Sequence, residues 1–226
     1  EFDDLFSLGS SSGGSRPKIN LNIDGHLYII KYPNSTDGKN MGEMEFDYMN
    51  TAKECGIKIP NIRLFPSNNC SGYFGIERFD RKDNKKIHTI TAASLINRNA
   101  FTTVFTYRDI FKLTNILTNG NKDDLEQIFR IMVFNYLAHN EDDHAKNLSF
   151  IYNEEAHMYR LAPAYDLTHS HTRYGEHQIM VGNKGSNVTK KEFIEEATGF
   201  GLDNNKLLEI YNSIQKIVTT KLLKYL

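Results

Sequence analysis

The segment "HNEDDHAKNLSF", residues 139–150, carries two His, one Glu, two Asp, one Lys and two Asn directly after a strongly apolar run. Three readings of it compete. In the first, His139 and His144 bind a metal. Their spacing of five does not stack two imidazoles on one helical face as an i, i+4 pair does, and no third ligand follows at a clear interval. In the second, the polar residues only close a helix and face water, as loops commonly do. The third rests on one spacing, Asp142-x-x-x-x-Asn147.

Enzymes that move a phosphoryl group in the protein-kinase manner use an Asp to accept the acceptor hydroxyl's proton and an Asn to hold magnesium, separated in this way. The Asp must stay ionised and reach the nucleophile, and the amide oxygen of Asn is a hard ligand that suits magnesium. One short loop must carry both, so that base and metal keep their distance. Alone the pattern is weak, because acids and Asn are common. Its context strengthens it. The loop follows an amphipathic segment in which Leu125, Ile128, Phe129, Met132, Tyr136 and Leu137 recur at helical spacing. This predicts a helix over 124–138, capped by Asp123 or Asp124. After Asn147, "NLSFIY" and "MYRLAPA" read as a hairpin across "NEEAH", and "APAYDL" then delivers Asp166. A kinase needs a second metal-binding Asp at this point.

Such a site also needs a nucleotide clamp, and the first third of the chain offers the parts. "GSSSGGSRPK", residues 9–18, supplies small residues whose N–H groups can approach phosphate. "INLNIDGHLYIIK" reads as two alternating strands joined by Asp24-Gly25, a favoured two-residue turn. The second strand ends at Lys31, a candidate to pair the α- and β-phosphates. Residues 42–54 read as a helix with Met44, Tyr48 and Ala52 on one stripe and Gly56 as its stop. Glu43 and Glu45 lie on this helix, and Glu45, nearer the inward stripe, is the expected partner of Lys31. "IERFD" follows two further strands and is the expected hinge, with backbone groups of Glu77, Arg78 and Phe79 reading adenine and Phe79 packing on it. An ion pair of Glu77 or Asp80 with Arg78 or Arg81 is the structural alternative there.

Composition sets limits on the rest. At 226 residues the chain is long enough for one large domain or two small lobes. A net charge of −1 does not suggest a nucleic-acid binder by bulk electrostatics, while a local groove for a polyanion is still allowed. No apolar run approaches the roughly 18 residues of a membrane helix, and no signal-peptide pattern is visible. Two cysteines, Cys55 and Cys70, fit reduced thiols in a cytoplasmic protein. The expected fold is α+β and two-lobed. Residues 1–82 form a β-rich N-terminal ATP-clamp lobe and residues 83–226 a mostly helical catalytic lobe, helical over 107–118, 124–138 and most of 189–226. His88, His169, His171 and His177 read as isolated surface histidines, with His169 and His171 close enough to Asp166 to line a substrate groove.

Several segments together resemble one family. "SSSGGSRPK", "IIKYP", "EMEFDYMNTAKECGIKIPN", "ERFDR", "TYRDI", "FRIMVFNYLAHNEDDHAKNLSF" and "LAPAYDL" resemble, in order, the HipA-like serine/threonine kinases, toxins of bacterial type II toxin–antitoxin systems. The resemblance implies Asp142 as catalytic base and Asn147 and Asp166 as magnesium ligands. It implies Lys31 as the phosphate-binding lysine and residues 13–18, with Gly13, Gly14, Ser15, Arg16 and Lys18, as the nucleotide loop. Glu77, Arg78 and Phe79 become the hinge, and His144 lies near phosphate. Autophosphorylation in the Gly-rich loop is implied too. Ser11 matches best, beside Ser10 and Ser12, and a phosphate there adds about 1.5 to 2 negative charges next to those of ATP.

The same resemblance implies a protein serine target, such as an aminoacyl-tRNA synthetase. It also implies a HipB-like DNA-binding antitoxin, while this chain does not itself bind nucleic acid. The sequence starts at Glu1, and by the resemblance the N-terminal subdomain of full-length HipA is not expected in it. In that respect it is similar to the short HipT-type kinases, whose missing part is a separate small HipS-like protein; a chain cut from a longer protein would look the same. The Gly that follows the metal-binding Asp in eukaryotic kinases is replaced in "YDLT". A kinase-fold enzyme that phosphorylates a small-molecule hydroxyl is the alternative, and a binding module without catalysis is a third possibility.

Overall fold

The chain's structure is a computed structural model that describes residues 2–5, 16–82, 85–96 and 105–226. The loop positions Ser10, Ser11, Ser12, Gly13, Gly14 and Ser15 lie outside the described residues.

Strands β1 (Lys18–Ile23) and β2 (His26–Lys31) form the expected antiparallel hairpin. Asp24 and Gly25 both take positive φ, 54° and 86°, the handedness that a tight hairpin turn between right-twisted strands requires. Helix α1 (Met41–Glu54) follows, then β3 (Ile62–Phe65) and β4 (Tyr73–Glu77). The four strands make one antiparallel sheet in the order β1-β2-β4-β3. Period-two alternation divides β2 between its faces. Tyr28 and Ile30, with Tyr32, Phe65 and Tyr73, form a small core against Phe2 and Leu5. The alternate residues Ile29 and Lys31 are left to the opposite face, where Phe74 and Ile76 of β4 join the larger core under α1.

Beyond the sheet come the short hairpin β5 (Arg81–Lys82) and β6 (Lys85–Lys86), strand β7 (Thr89–Thr91) and the short helix α2 (Ala92–Ile96). Strand β8 (Phe105–Thr106) leads into α3 (Tyr107–Leu117), whose N-terminus is closed by a capping box between Thr106 and Asp109. The central helix is α4 (Lys122–Leu137), with Leu125, Ile128, Phe129, Met132, Val133 and Phe134 all fully buried. Its cap differs from the expectation. The helix starts at Lys122, and Asn121 is the N-cap, accepting from the Asp124 N–H. Asp124 is instead drawn into a 2.6 Å pair with Arg160 across the core edge. Asp123 and Asp124 lie closer to the first apolar residue, but the helix begins a turn earlier than the apolar period shows.

A 3₁₀ turn (Ala145–Asn147) leads into the hairpin β9 (Ser149–Asn153) and β10 (Met158–Leu161), and β7 pairs with β9 as a third strand. Strand β11 (Ile179–Met180) runs parallel to β8. Helices α5 (Lys190–Ala197) and α6 (Asn204–Lys221) close the chain, and α6 packs on α4. The fold is α+β, with a β-rich N-terminal region and a helical C-terminal region. No helix among the described residues is long and apolar enough to cross a membrane. Cys55 and Cys70 are unbridged, and burial pushes the Cys55 thiol up to about 12.

Candidate active site

Lys31 is carried to the cleft by the alternation of β2, and Glu45 by the periodicity of α1. Glu45 lies i, i+3, i+4 and i+7 from Tyr48, Met49 and Ala52, so the buried face of the helix carries one carboxylate inward. Its side chain is only 2% exposed and lies 2.6 Å from Lys31 Nζ. Lys31 also pairs with Asp166 on the far side of the cleft. Burial by itself would push the Lys31 pKa down. The two carboxylates outweigh it and hold the ammonium above its ordinary value. Asp166 mirrors this. Burial works to raise its pKa, but Lys31 first, then Lys18 and His144, keep it below the usual carboxylate range. Asp166 takes φ 55°, a left-handed conformation that Asp tolerates better than most side chains.

The loop after α4 is held from beneath and beside. Buried Asn140 donates to Asn135 Oδ1 at 2.9 Å and accepts from Ser170 Oγ at 3.1 Å. The Ser170 hydroxyl oxygen also accepts the Asp142 N–H at 3.0 Å, while Glu141 N–H and Ser170 N–H donate to main-chain oxygens across the gap. Glu141, buried, accepts the Thr172 N–H at 2.6 Å. The loop and the segment after Asp166 therefore form one hydrogen-bonded unit.

Asp142 and Asp143 part company here. Asp142 has a side chain 56% exposed and faces the cleft, with His144 Nε2 at 3.9 Å and Gln178 Nε2 donating to its Oδ1 at 2.5 Å. Asp143 has a side chain with no exposed surface, and it accepts from Tyr107 Oη at 3.0 Å and from the N–H groups of Gln178 and Ile179 at 2.9 and 3.3 Å. It is a buried knot tying the loop to β11 and to the start of α3. Asn147 Nδ2 donates to the Asp142 carbonyl at 3.2 Å, which leaves its amide oxygen for another partner.

Asp142, His144, Asn147 and Asp166 line one cavity of about 650 Å³ with Arg16, Lys18, Lys31 and Lys146. A smaller pocket of about 220 Å³ shares Lys18, Lys31, Tyr165 and Asp166 with it and continues to Ile29, Glu77, Arg78 and Phe79. The structure thus brings together every predicted site residue that it describes. Arg16 is held by Asp37 at 2.8 Å. At the expected hinge, the N–H groups of Glu77 and Arg78 donate to the carbonyls of Asn61 and Leu27, both at 2.8 Å. Phe79 lines the smaller pocket, with its ring 5.6 Å from that of Tyr165. The side-chain alternative is also present in part. Asp80 pairs with both Arg78 and Arg81, whereas Glu77 turns to His26 and Asn61.

His177 departs from the expectation of a surface histidine. It is 6% exposed, stacks on Tyr136 at 3.7 Å and lies 3.2 Å from Asp143. The return of β11 alongside β8 buries it, a long-range pairing that its local sequence does not encode. Among the described residues no three His, Cys, Asp or Glu side chains cluster as a metal site of those donors alone. Sequence reasoning missed Asn140, Ser170 and Gln178. Asn140 adjoins the motif and could have been suspected; Ser170 and Gln178 have no local signal.

The family model described as the HipA-like C-terminal domain matches residues 10–221. The chain belongs to the HipA-like family. Among curated relatives, this HipA-like chain is 31% identical to the "Putative kinase" of Haemophilus influenzae, over 70% of this chain and 52% of the relative. It is 30% identical to the "Putative kinase Y4dM" of Sinorhizobium fredii, over 63% of this chain and 37% of the relative. The HipA-like chain thus spans about half, or less, of the curated relatives it matches. Among solved structures, HipA of Shewanella oneidensis, from a toxin–antitoxin complex with HipB and its operator DNA, superposes with TM-score 0.71 at 18% identity, covering 96% of this chain and 58% of the other. A Helicobacter pylori proinflammatory kinase, CtkA, gives TM-score 0.58 at 15% identity, with 90% of each chain covered. These two likenesses are of fold.

Proposed function

We propose that this chain is an ATP-dependent kinase that transfers the γ-phosphate to a protein serine or threonine. The observation that carries the reading is the convergence of Lys31, backed by its pair with Glu45, with Asp142, Asn147 and Asp166 on a single cavity, from elements as far apart as β2 and the segment after β10. The family and the names of its relatives point the same way. In this reading residues 1–82 clamp ATP and residues 83–226 carry the reacting groups.

The residues fit magnesium by donor chemistry. The Asp166 carboxylate and the Asn147 amide oxygen are hard oxygen ligands lining the same cavity, and the Asn147 amide is oriented by its bond to the Asp142 carbonyl. Magnesium, when bound, neutralises charge on the phosphates. Lys31, held by Glu45, binds the α- and β-phosphates and must let go of Asp166 when nucleotide enters. Asp142 takes the proton from the acceptor hydroxyl as it attacks phosphorus. Arg16 and Lys18 add positive charge along the phosphate path, and His144 lines the same cavity. The small pocket at Phe79 and Tyr165 takes the adenine.

Autophosphorylation at Ser11, with Ser10 and Ser12 as neighbours, and an aminoacyl-tRNA synthetase as target rest on the family resemblance. So do a HipB-like antitoxin, a HipS-like partner, a toxin role and a cytoplasmic location. The Shewanella complex supports the antitoxin partner. The test is γ-phosphate transfer from labelled Mg-ATP, with mass spectrometry of the products. Wild type should label protein serine, whereas Asp142→Asn and Asp166→Asn should be inactive yet folded. Full activity in either variant removes that residue's assigned role.

A further inference from the structure

We propose that Gln178 is the positioning residue for Asp142, and that buried Asp143 serves the reaction by anchoring Gln178 rather than by meeting substrate. The proposal rests on the reading of Asp142 as base. The geometry is a two-step relay. Asp143 Oδ1 accepts the main-chain N–H of Gln178 at 2.9 Å, and Ile179, next in the chain, is 1% exposed in β11 against β8. The backbone of Gln178 is therefore fixed, although its side chain is exposed. From that fixed point Nε2 donates to Asp142 Oδ1 at 2.5 Å. An aspartate that is 56% exposed is otherwise free to turn about its side-chain bonds. The ring nitrogen His144 Nε2 is 3.9 Å away, too far for a hydrogen bond. With Oδ1 engaged by the amide, Oδ2 is left to face the acceptor hydroxyl. Asp143, for its part, is fixed by Tyr107 and by the chain of β11 and presents nothing to the cleft.

The experiment compares ADP release from Mg-ATP by the intact wild-type protein, Gln178→Ala, Gln178→Glu and Asp142→Asn, and by Gln178→Ala in the Asp142→Asn background, with melting temperatures for each. Gln178→Ala should lower kcat about tenfold to hundredfold, the scale of a misplaced reacting group. KM for ATP should stay within about twofold, since Gln178 is not among the residues lining either cavity. Gln178→Glu fills the same space but cannot donate, so it should be slower than Gln178→Ala. Because the side chain is exposed, both variants should melt with the wild type. In the Asp142→Asn background, Gln178→Ala should have no further effect. Wild-type turnover in both Gln178 variants, with Asp142→Asn inactive, overturns this proposal and leaves the base assignment standing. Greater activity in Gln178→Glu than in Gln178→Ala makes the side chain a spacer and also overturns it. An active Asp142→Asn, or a wild type that releases no ADP, removes the base reading and this proposal with it.

Discussion

Replacing Lys31 with Met removes a cation and leaves its neighbour stranded. Glu45 is 2% exposed and its carboxylate lies 2.6 Å from Lys31 Nζ. At an effective dielectric of about 20, the two charges attract by about 6 kcal/mol, which offsets the cost of keeping both from water. Without Lys31, the buried carboxylate is uncompensated, at about 3–5 kcal/mol. Asp166 loses the same partner, but its side chain is 44% exposed and takes water instead, so it adds little. For a chain of this size each kcal/mol is worth about 2–4 °C in melting temperature, so the expected loss is roughly 10 °C. The double variant Lys31→Met, Glu45→Met removes both charges and fills similar volume. It should recover to within about 1 kcal/mol of wild type, while ATP turnover stays lost in both variants. Urea unfolding at neutral pH, followed with ADP release, reads both effects. A single variant as stable as wild type, or a double variant no better than the single, would refute the buried pair. Turnover restored in the double variant would refute the role given to Lys31.

Further outcomes follow from the same structure. Asp142→Ala should leave stability unchanged and lower transfer by about 10²- to 10⁴-fold, because its side chain is exposed. Asp143→Ala should cost about 2–4 kcal/mol by leaving the Tyr107, Gln178 and Ile179 donors without their acceptor, visible as a lower urea midpoint. Equal stability of the two variants would contradict the division between them. Asp166 and Glu141 both sit below their ordinary pKa values; burial opposes this, but Lys31 and the Thr172 N–H respectively outweigh it. Their stabilisation should be complete above the unfolded values of about 4 and be lost as pH falls through the folded ones. Lys31, raised in the folded state, contributes below its unfolded value of about 10.4 and loses that contribution as pH rises through the folded one. Urea midpoints across pH should therefore show a plateau between these limits, and Glu141→Gln, at a buried carboxylate, should flatten the acid limb more than Asp166→Asn, whose side chain is 44% exposed. Gly42→Ala should destabilise by about 1–3 kcal/mol although Ala favours helix, because its Cβ would meet the Gly72 carbonyl oxygen at 2.1 Å. A stabilised Gly42→Ala would show that the backbone approach relaxes easily.

Local signals carried much of this protein. The Asp24-Gly25 turn, the alternation that ends at Lys31 and the 3.6-residue period of α1 and α4 are written in adjacent side chains, so strands and helices were legible to within a few residues. The Asp142 to Asn147 spacing and the hairpin to Asp166 were legible too, since each lies within a short contiguous span. Glu45 could be chosen over Glu43 because the buried stripe of α1 has a readable phase. Tertiary structure alone decided the rest. Asp142 and Asp143 are identical neighbours in the chain. Only the return of β11 beside β8 buries one among Tyr107, His177 and two main-chain donors and leaves the other in the cleft. The same return hides His177 and delivers Gln178, and the segment after Asp166 delivers Ser170. These contacts join residues about 30 or more positions apart. Their energies depend on burial and on distance in space, which no local pattern of residues encodes.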